Sequence, residues 1–293
     1  MKFDVVDVSD WLVIGQESEG ADPKLWLARR ADDKELWLYK SSKFGLETSY
    51  RRYDDVAERL ASALAEDLGL PAARVEFAGR ASDEGIISRN VRPDGWDLHS
   101  GDVRLSEYPG YLSCSGDDRP KERVGHNLAN IRSILNGCGP PPGLPAECSA
   151  FSVFAGYLVF DAWIANTDRH AINWAVLDHD GEQRLAPSFD HGSALGSGVR
   201  EADLAGQDPV TFAGRGKASR FEGGRRQTLV DLALLAVEQA GAQARDWVDR
   251  VARYDLARLD DLLDAARNTM RLSEVRRTFI RGILEENQRR LTR

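Results

Sequence analysis

A chain of 293 residues is long enough for one large domain or two packed lobes, and its 42% hydrophobic content with seven tryptophans predicts a folded globular protein. A net charge of −8 argues against a general nucleic-acid or membrane-surface binder, because those proteins need a positive face. Neither a signal peptide nor a membrane span is apparent, and three sparse cysteines without metal-ligand spacing predict reduced thiols in a cytoplasmic protein.

The first hundred residues favour short β-strands. Apolar runs at 11–14, 25–28 and 36–39 are separated by Gly, Asp and Pro, and the segments 25–30 and 35–40 predict a hairpin. A helix is predicted over 53–68, where apolar residues recur at spacing four and Gly69 provides a stop. Another strand pair is predicted at 74–79 and 84–91. Strands around one helix indicate a small α+β lobe, which we assign to residues 1–108.

The remainder, residues 109–293, is predicted to be mostly helical. The loop-rich stretch 112–145 contains one short helix near 127–135, and the segment 148–165, apolar except for Asp161, indicates a helix buried on every side. Two short strands near 173–177 and 184–186 are joined by a turn at Asp180-Gly181, and amphipathic helices follow from about residue 228. The predicted fold class is therefore α+β, with a β-rich N-terminal lobe and a larger helical C-terminal lobe.

Polar residues crowd the chain directly after the predicted buried helix, in NTDRHAIN at 166–173, and Asp190-His191-Gly192 follows the next strand pair. Phosphoryl transfer needs a carboxylate at the acceptor hydroxyl, oxygen ligands for Mg²⁺ and a cation on the phosphates. Asp168, Asn173 and Asp190 supply the first two kinds of group. A loop that merely caps its own backbone would also account for the first motif, but not for the second one at this distance.

The order Asp-Arg-His-x-x-Asn, then Asp-His-Gly, resembles the catalytic and metal-binding loops of HipA-like kinases and, in the same order, of phosphatidylinositol 3-/4-kinases. The resemblance implies a bilobal protein-kinase-like fold that binds ATP and Mg²⁺ between its lobes. It implies that Asp168 is the catalytic base, Asn173 a Mg²⁺ ligand and Asp190 the main Mg²⁺ ligand. We expect His170 to orient the catalytic loop by hydrogen bonding beside the nucleotide.

The same resemblance implies a phosphate clamp in the N-terminal half. Kinases hold the phosphates with a strand lysine, which is fixed by a glutamate of the next helix. Lys40 ends the apolar run 36–39 and Glu58 lies off the apolar stripe of the predicted helix, with Lys43 as the nearest substitute for Lys40. Residues 19–26 resemble the family's phosphate-covering loop, although they lack a Gly-x-Gly-x-x-Gly, so Gly20 and Lys24 are candidate phosphate contacts. For Lys24, a solvated loop charge is the alternative.

A basic, glycine-rich segment follows the second motif, where kinases keep an activation or substrate loop. It carries one acid, Glu222, against five cations, Arg215, Lys217, Arg220, Arg225 and Arg226. Either this segment, 215–226, recognises an acidic or phosphorylated acceptor, with Ser219 a candidate phosphorylation site, or it is a solvated, partly disordered loop. Arg169 could pair with a phosphorylated residue or with Asp190, or could pack in the interior.

These features predict an ATP- and Mg²⁺-dependent phosphotransferase acting on Ser/Thr hydroxyls of a protein, including its own. Three alternatives stay open: a kinase of a small-molecule or lipid-headgroup hydroxyl, an inactive ATP-binding pseudokinase that serves as an interaction module, and a toxin, by analogy with some HipA relatives. No direct contact with nucleic acid or membrane is expected.

Overall fold

The computed structural model describes residues 3–17, 24–42, 50–113 and 123–293. Two residues named above, Gly20 and Lys43, lie outside the described residues, as does most of the segment that resembles a phosphate-covering loop. Lys24 lies within them.

A six-stranded sheet forms the N-terminal part of the described chain, in the order β1-β5-β6-β4-β3-β2. All its neighbours are antiparallel except β1 and β5, which are parallel. The strands are β1 (Val5–Asp7), β2 (Leu12–Glu17), β3 (Lys24–Ala28), β4 (Trp37–Ser41), β5 (Val75–Arg80) and β6 (Asp83–Arg89). The predicted hairpin is confirmed as β3–β4, whereas β1 was not predicted from the sequence.

Successive side chains of β4 point to opposite faces of the sheet, and the two faces differ in character. Trp37 and Tyr39 are buried in a cluster with Leu27 and Ile87, so these four side chains form the apolar face. Lys40 is offset by one residue and therefore points to the opposite face, which α1 (Asp54–Leu68) adjoins. The strand thus buries apolar residues on one side and presents its lysine on the side of the helix.

Helix α1 matches the predicted helix, and its stop is the predicted one. Gly69 adopts a left-handed conformation (φ 66°) and its N–H donates to the carbonyls of Ala65 and Glu66. The carboxyl end of α1 is bonded to the helix Leu256–Met270 and to the connection before it: Asp67 accepts from Tyr254 Oη at 2.7 Å and from Arg258 Nε at 2.9 Å. Ser62 ties the helix to the sheet by donating to the Ala73 carbonyl at 3.0 Å.

A second, three-stranded antiparallel sheet has the order β7-β8-β9 and consists of β7 (Asp97–Ser100), β8 (Ala175–His179) and β9 (Glu182–Leu185). The predicted turn is present, with positive φ at both Asp180 and Gly181. Strand β8 begins later than predicted because residues 171–173 form a single 3-10 turn. Strand β7 was not predicted; its partner β8 lies far along the chain, so its local sequence carried no pairing signal.

The rest of the described chain is helical, and α4 is its centre. Every residue of α4 is buried, as the sequence predicted, and it packs mainly against α7, α8 and α10. The helices are α2 (Gly101–Leu105), α3 (Leu128–Leu135), α4 (Ala150–Trp163), α5 (Glu201–Leu204), α6 (Pro209–Arg215), α7 (Leu229–Ala240), α8 (Ala242–Ala252), α9 (Leu256–Met270) and α10 (Glu274–Leu291). The mixed α+β class is confirmed, while the division at residues 108 and 109 stays a prediction.

Two loops leave this scaffold towards α1: the loop after α4, which carries Asp168 and Asn173, and the loop after β9, which carries Asp190. None of the helices in the described ranges has the length and apolar character that crossing a bilayer requires.

Candidate active site

Lys40 joins three separate elements of the fold. Its Nζ donates to Glu58 Oε1 at 2.6 Å and to Asp190 Oδ1 at 2.8 Å. Lys40 comes from β4, Glu58 from α1 and Asp190 from the loop after β9, so this ammonium group connects the sheet, the helix and the loop. The Glu58 side chain is only 5% exposed, whereas that of Asp190 retains 39%. The exposed side of Asp190 is therefore the side open to a ligand.

Lys40 favours the charged form of both carboxylates in this trio, while the two carboxylates oppose each other. Burial works to lower the pKa of Lys40, but Asp190 and Glu58 outweigh it and raise that pKa above its ordinary value. The Lys40 ammonium holds the pKa of Asp190 far below its usual range. Burial raises the pKa of Glu58, and Asp190 adds to this effect while Lys40 opposes it. Lys40 therefore stays a cation and Asp190 an anion, which are the forms that phosphate and metal binding need.

The backbone at Asp190 and Gly192 lets the loop reach α1. Asp190 has φ 61°, a left-handed conformation that few residues other than glycine adopt, although Asp and Asn tolerate it best. A Cβ on Gly192 would lie 3.3 Å from Glu58 Oε1 and 3.5 Å from Asp54 Cβ. Glycine at this position thus allows the loop to close against the helix that carries Glu58.

In the loop after α4, Asp168 and Asn173 are bonded to each other. Asn173 Nδ2 donates to the Asp168 backbone carbonyl at 2.8 Å, so the amide nitrogen is engaged within the loop and the amide oxygen is the atom of this group suited to a metal. His170 Nε2 lies 3.7 Å from Asp168 Oδ2. The loop therefore offers a carboxylate and an amide oxygen from one compact turn.

Arg169 lies in the interior and connects both loops. Its guanidinium pairs with Asp161 of α4 (Nε to Oδ2 2.7 Å, Nη2 to Oδ1 2.9 Å) and also donates to the Asn173 carbonyl and to Ser188 Oγ. Its Nη2 lies 3.3 Å from His191 Nε2, in the residue after Asp190. Of the alternatives that the sequence left open for Arg169, interior packing is the one observed, with Asp161 rather than Asp190 as its partner.

Lys24 faces the same side of the sheet as Lys40, because the two residues are direct partners in the β3–β4 register. Its Nζ is 3.9 Å from Glu17 Oε1, a loose ion pair that leaves the cation available to a ligand. Its charge adds to the lowering of the pKa of Asp190.

The candidate metal-ligand atoms of the two loops fit a magnesium site. Mg²⁺ takes oxygen ligands and commonly keeps waters and substrate phosphates beside one or two protein groups. Asn173 and Asp190 supply an amide oxygen and an ionised carboxylate, attached to loops that one guanidinium bridges. Within the described ranges, no three His, Cys, Asp or Glu side chains gather as a metal cage would require. This donor set suits a metal that arrives with phosphates.

An open cleft of about 440 Å³ adjoins the sheet on the side of β7. Its lining combines apolar residues of β2, β3 and the connection before β4 with mostly polar groups from β7 and the connection before it: Ile14, Gly15, Trp26, Leu36, Asn90, Arg92, Asp97, Leu98 and His99. A wall of apolar and aromatic groups with a few polar ones is typical of small-ligand sites. The sequence did not predict these residues as a group, because three strands and two connections contribute to them.

The basic segment 215–226 lies against the catalytic loop. Arg220 Nη2 is 2.6 Å from Asp168 Oδ1, whereas Arg225 and Arg226 are exposed. All twelve positions of this segment belong to the described residues, and α6 provides its beginning. The segment is thus ordered around Arg220 and solvated around the two following arginines.

Residues 17–258 match the sequence model of the HipA-like C-terminal domain. The chain belongs to that family. No curated protein sequence matches it. This HipA-like chain also resembles solved structures, among them the three that follow, each with a TM-score above 0.5.

The Helicobacter pylori proinflammatory kinase CtkA superposes with a TM-score of 0.67 at 17% identity, covering 98% of this HipA-like chain and 95% of CtkA. HipA from a Shewanella oneidensis toxin–antitoxin complex with HipB and operator DNA gives 0.53 at 12% identity, with 96% and 66% covered. Hydra Fam20, solved with a sugar, gives 0.52 at 13% identity, with 97% and 86% covered. At these identities the comparisons show a shared kinase-like fold, and together with the family they support a phosphotransferase.

Proposed function

We propose that this HipA-like chain is an ATP- and Mg²⁺-dependent kinase that transfers the γ-phosphoryl group to an acceptor hydroxyl. The observation that carries the proposal is the pairing of Lys40 with both Glu58 and Asp190, at 2.6 and 2.8 Å. A lysine held between a helix glutamate and a loop aspartate is what a kinase uses to bind phosphates next to its metal.

Each side chain then has a role that suits its surroundings. Lys40 binds the phosphates of ATP, and Glu58 keeps it aligned. Asn173 and Asp190 hold Mg²⁺, which neutralises charge on the phosphates when it is bound. Asp168 orients the acceptor hydroxyl and accepts its proton as the oxygen attacks the γ-phosphorus. Positioning and charge stabilisation supply most of the rate enhancement.

The nucleotide would enter by the open cleft beside β2 and β3. Its apolar lining suits a purine ring, and Lys24 and Lys40 lie in register farther along the same face of the sheet, where the phosphates would extend. Gly20 and His170 are proposed as further contacts to the nucleotide.

The proposed acceptor is a Ser/Thr hydroxyl of a protein, including this chain itself. The family and the kinase-like neighbours favour it, and the basic segment 215–226 beside Asp168 suits an acidic or phosphorylated acceptor. A small-molecule or lipid-headgroup hydroxyl is the second candidate, and the Asp-Arg-His order of the catalytic loop favours it.

A pseudokinase is disfavoured because Asp168, Asn173, Asp190 and Lys40 are all present. The HipA neighbour comes from a toxin–antitoxin system; growth arrest by wild type but not by Asp168→Ala would indicate a toxin.

Incubation of the purified protein with γ-labelled ATP and Mg²⁺ tests the proposal, beside Asp190→Ala and the surface control Asp249→Ala. Asp249 lies on α8, far along the chain from both loops, and pairs loosely with Arg253 just after that helix. We expect label on the wild type and on Asp249→Ala, and a loss of about three orders of magnitude or more in Asp190→Ala. Mg²⁺-dependent ATP binding without label would move the acceptor to a small molecule or lipid, or indicate a pseudokinase. No ATP binding would refute the proposal.

A further inference from the structure

The carboxylate of Asp168 has two unlike oxygens. Oδ1 is buried, and 2.6 Å from it lies Arg220 Nη2, in an ion pair rather than an aligned hydrogen bond. The Asp168 side chain as a whole keeps 24% exposure, so the oxygen that stays open is Oδ2. Arg220 therefore covers Oδ1 of the proposed base, while Oδ2, 3.7 Å from His170 Nε2, stays partly exposed.

Arg220 does not sit there as a loose surface side chain, because its backbone is bonded to His126. The buried His126 donates from Nδ1 to the Arg220 carbonyl at 2.6 Å and accepts at Nε2 from Trp174 Nε1 at 3.2 Å. Burial lowers the pKa of His126 to about 4, so the ring is neutral and can donate on one side while it accepts on the other. Trp174 directly follows Asn173, so this chain of bonds ends at the residue next to a proposed metal ligand.

The residues after Arg220 hold the segment in place as well. The Phe221 ring stacks on His126 with centroids 4.4 Å apart, and the Glu222 N–H donates to the His126 carbonyl at 2.9 Å. The Glu222 carboxylate accepts from Asn127 Nδ2 at 2.6 Å and from the Gly125 N–H at 3.2 Å. Arg220 thus reaches Asp168 from a backbone that is fixed before any substrate binds.

We propose that Arg220 is a positioning residue for the phosphoryl transfer: it fixes Oδ1 of Asp168 so that Oδ2 faces the acceptor hydroxyl. The inference rests on the proposed function. In the step, Oδ2 takes the hydroxyl proton and the hydroxyl oxygen bonds to the γ-phosphorus. The bond between that phosphorus and the β–γ bridging oxygen breaks, and ADP leaves with the electron pair. A carboxylate free to rotate would spend less time in this geometry, which lowers kcat rather than ATP affinity.

The test measures ADP release from labelled ATP with Mg²⁺ alone, where the protein or water is the acceptor, in Arg220→Met and Arg220→Lys. We expect kcat to fall about 100-fold in Arg220→Met with KM for ATP within about twofold of wild type. Arg220→Lys should recover part of the loss, because an ammonium can still reach Oδ1. Arg184→Met is the matched control: its ion pair with Glu182 also measures 2.6 Å and its side chain is 33% exposed, against 31% for Arg220.

A double-mutant cycle separates positioning from a general structural effect. If Arg220 acts through Asp168, Arg220→Met should change turnover by less than about twofold in an Asp168→Asn background. Additive losses would overturn the inference, as would an Arg220→Met protein as active as Arg184→Met. Higher turnover in Arg220→Met would also overturn it and would identify Arg220 as a plug of the acceptor site. A wild type that binds no ATP would refute the proposed function, and the inference with it.

Discussion

Lys40 and Asp190 are 150 positions apart in the chain and form an ion pair of 2.8 Å. Glu58 approaches the same ammonium from the other side, at 2.6 Å. Two carboxylates therefore depend on one cation, and one of them, Glu58, is buried.

Replacing Lys40 by Met should cost both activity and stability. The phosphates would lose their cation, and Glu58 would be left buried beside Asp190 without a partner. We expect kcat/KM for ATP to fall at least about 100-fold and the free energy of unfolding to fall by about 3–5 kcal/mol, measured by urea denaturation. The double variant Lys40→Met/Glu58→Gln should regain most of the stability and none of the activity. Recovery of turnover in the double variant would contradict the assigned role of Lys40.

Replacing Arg169 by Lys should loosen both loops at once. A single ammonium cannot reproduce the paired bonds to Asp161 together with those to the Asn173 carbonyl and Ser188. We expect a loss of about 3–5 kcal/mol in the free energy of unfolding, because the Asp161 carboxylate would be left buried and only partly paired. Arg184→Lys, on the surface of β9, should stay within about 0.5 kcal/mol. Equal unfolding midpoints for the two variants would show that the buried network contributes little.

Replacing Gly192 by Ala should disturb the position of Glu58 without unfolding the protein. The new methyl group would lie 3.3 Å from Glu58 Oε1, so the carboxylate has to move away and its bond to Lys40 lengthens. We expect KM for ATP to rise several-fold and stability to fall by about 1–3 kcal/mol. Gly198→Ala is the control, since a Cβ there meets nothing within 4 Å. An unchanged KM in Gly192→Ala would mean that Glu58 tolerates the shift.

Acid should destabilise the fold through His126. Its folded pKa of about 4 lies below the unfolded value of 6.5, so the unfolded chain binds more protons between these two values. Its contribution to stability is complete above pH 6.5 and is lost as the pH falls towards 4. The free energy of unfolding should therefore decrease as the pH falls through this window. Replacing His126 by Gln should reduce the slope of that decrease by up to about 1.4 kcal/mol per pH unit. An equal reduction of the slope in His179→Gln, at an exposed position, would contradict the assignment.

The sequence predicted those helices whose apolar pattern lies within one short segment of the chain. Spacing-four apolar residues and Gly69 predicted α1, and an uninterrupted apolar run predicted α4. The strands β1 and β7 were missed because their partners lie far along the chain and their own sequences do not alternate.

The candidate site likewise contains residues that the sequence predicted and a contact that it could not predict. Spacing within two loops singled out Asp168, Asn173 and Asp190, but the contact of Arg220 with Asp168 exists only once the segment after α6 folds back onto His126. One partnership did have a signal in the sequence: Asp161 is the single charged residue of α4, and a buried carboxylate needs a cation. Arg169, the first cation after that helix, was the available partner.

The bonds at the carboxyl end of α1 determine how this helix can move. Asp67 is held by Tyr254 and Arg258, and Ser62 is bonded to the Ala73 carbonyl, so α1 can tilt about its carboxyl end only if the Ser62 bond opens. Glu58 lies nine residues from Asp67, a lever arm of about 13 Å at about 1.5 Å per residue. A tilt of about 10° would therefore carry Glu58 roughly 2 Å from its place. This is enough to break its bond to Lys40 while the helices behind the pivot stay still.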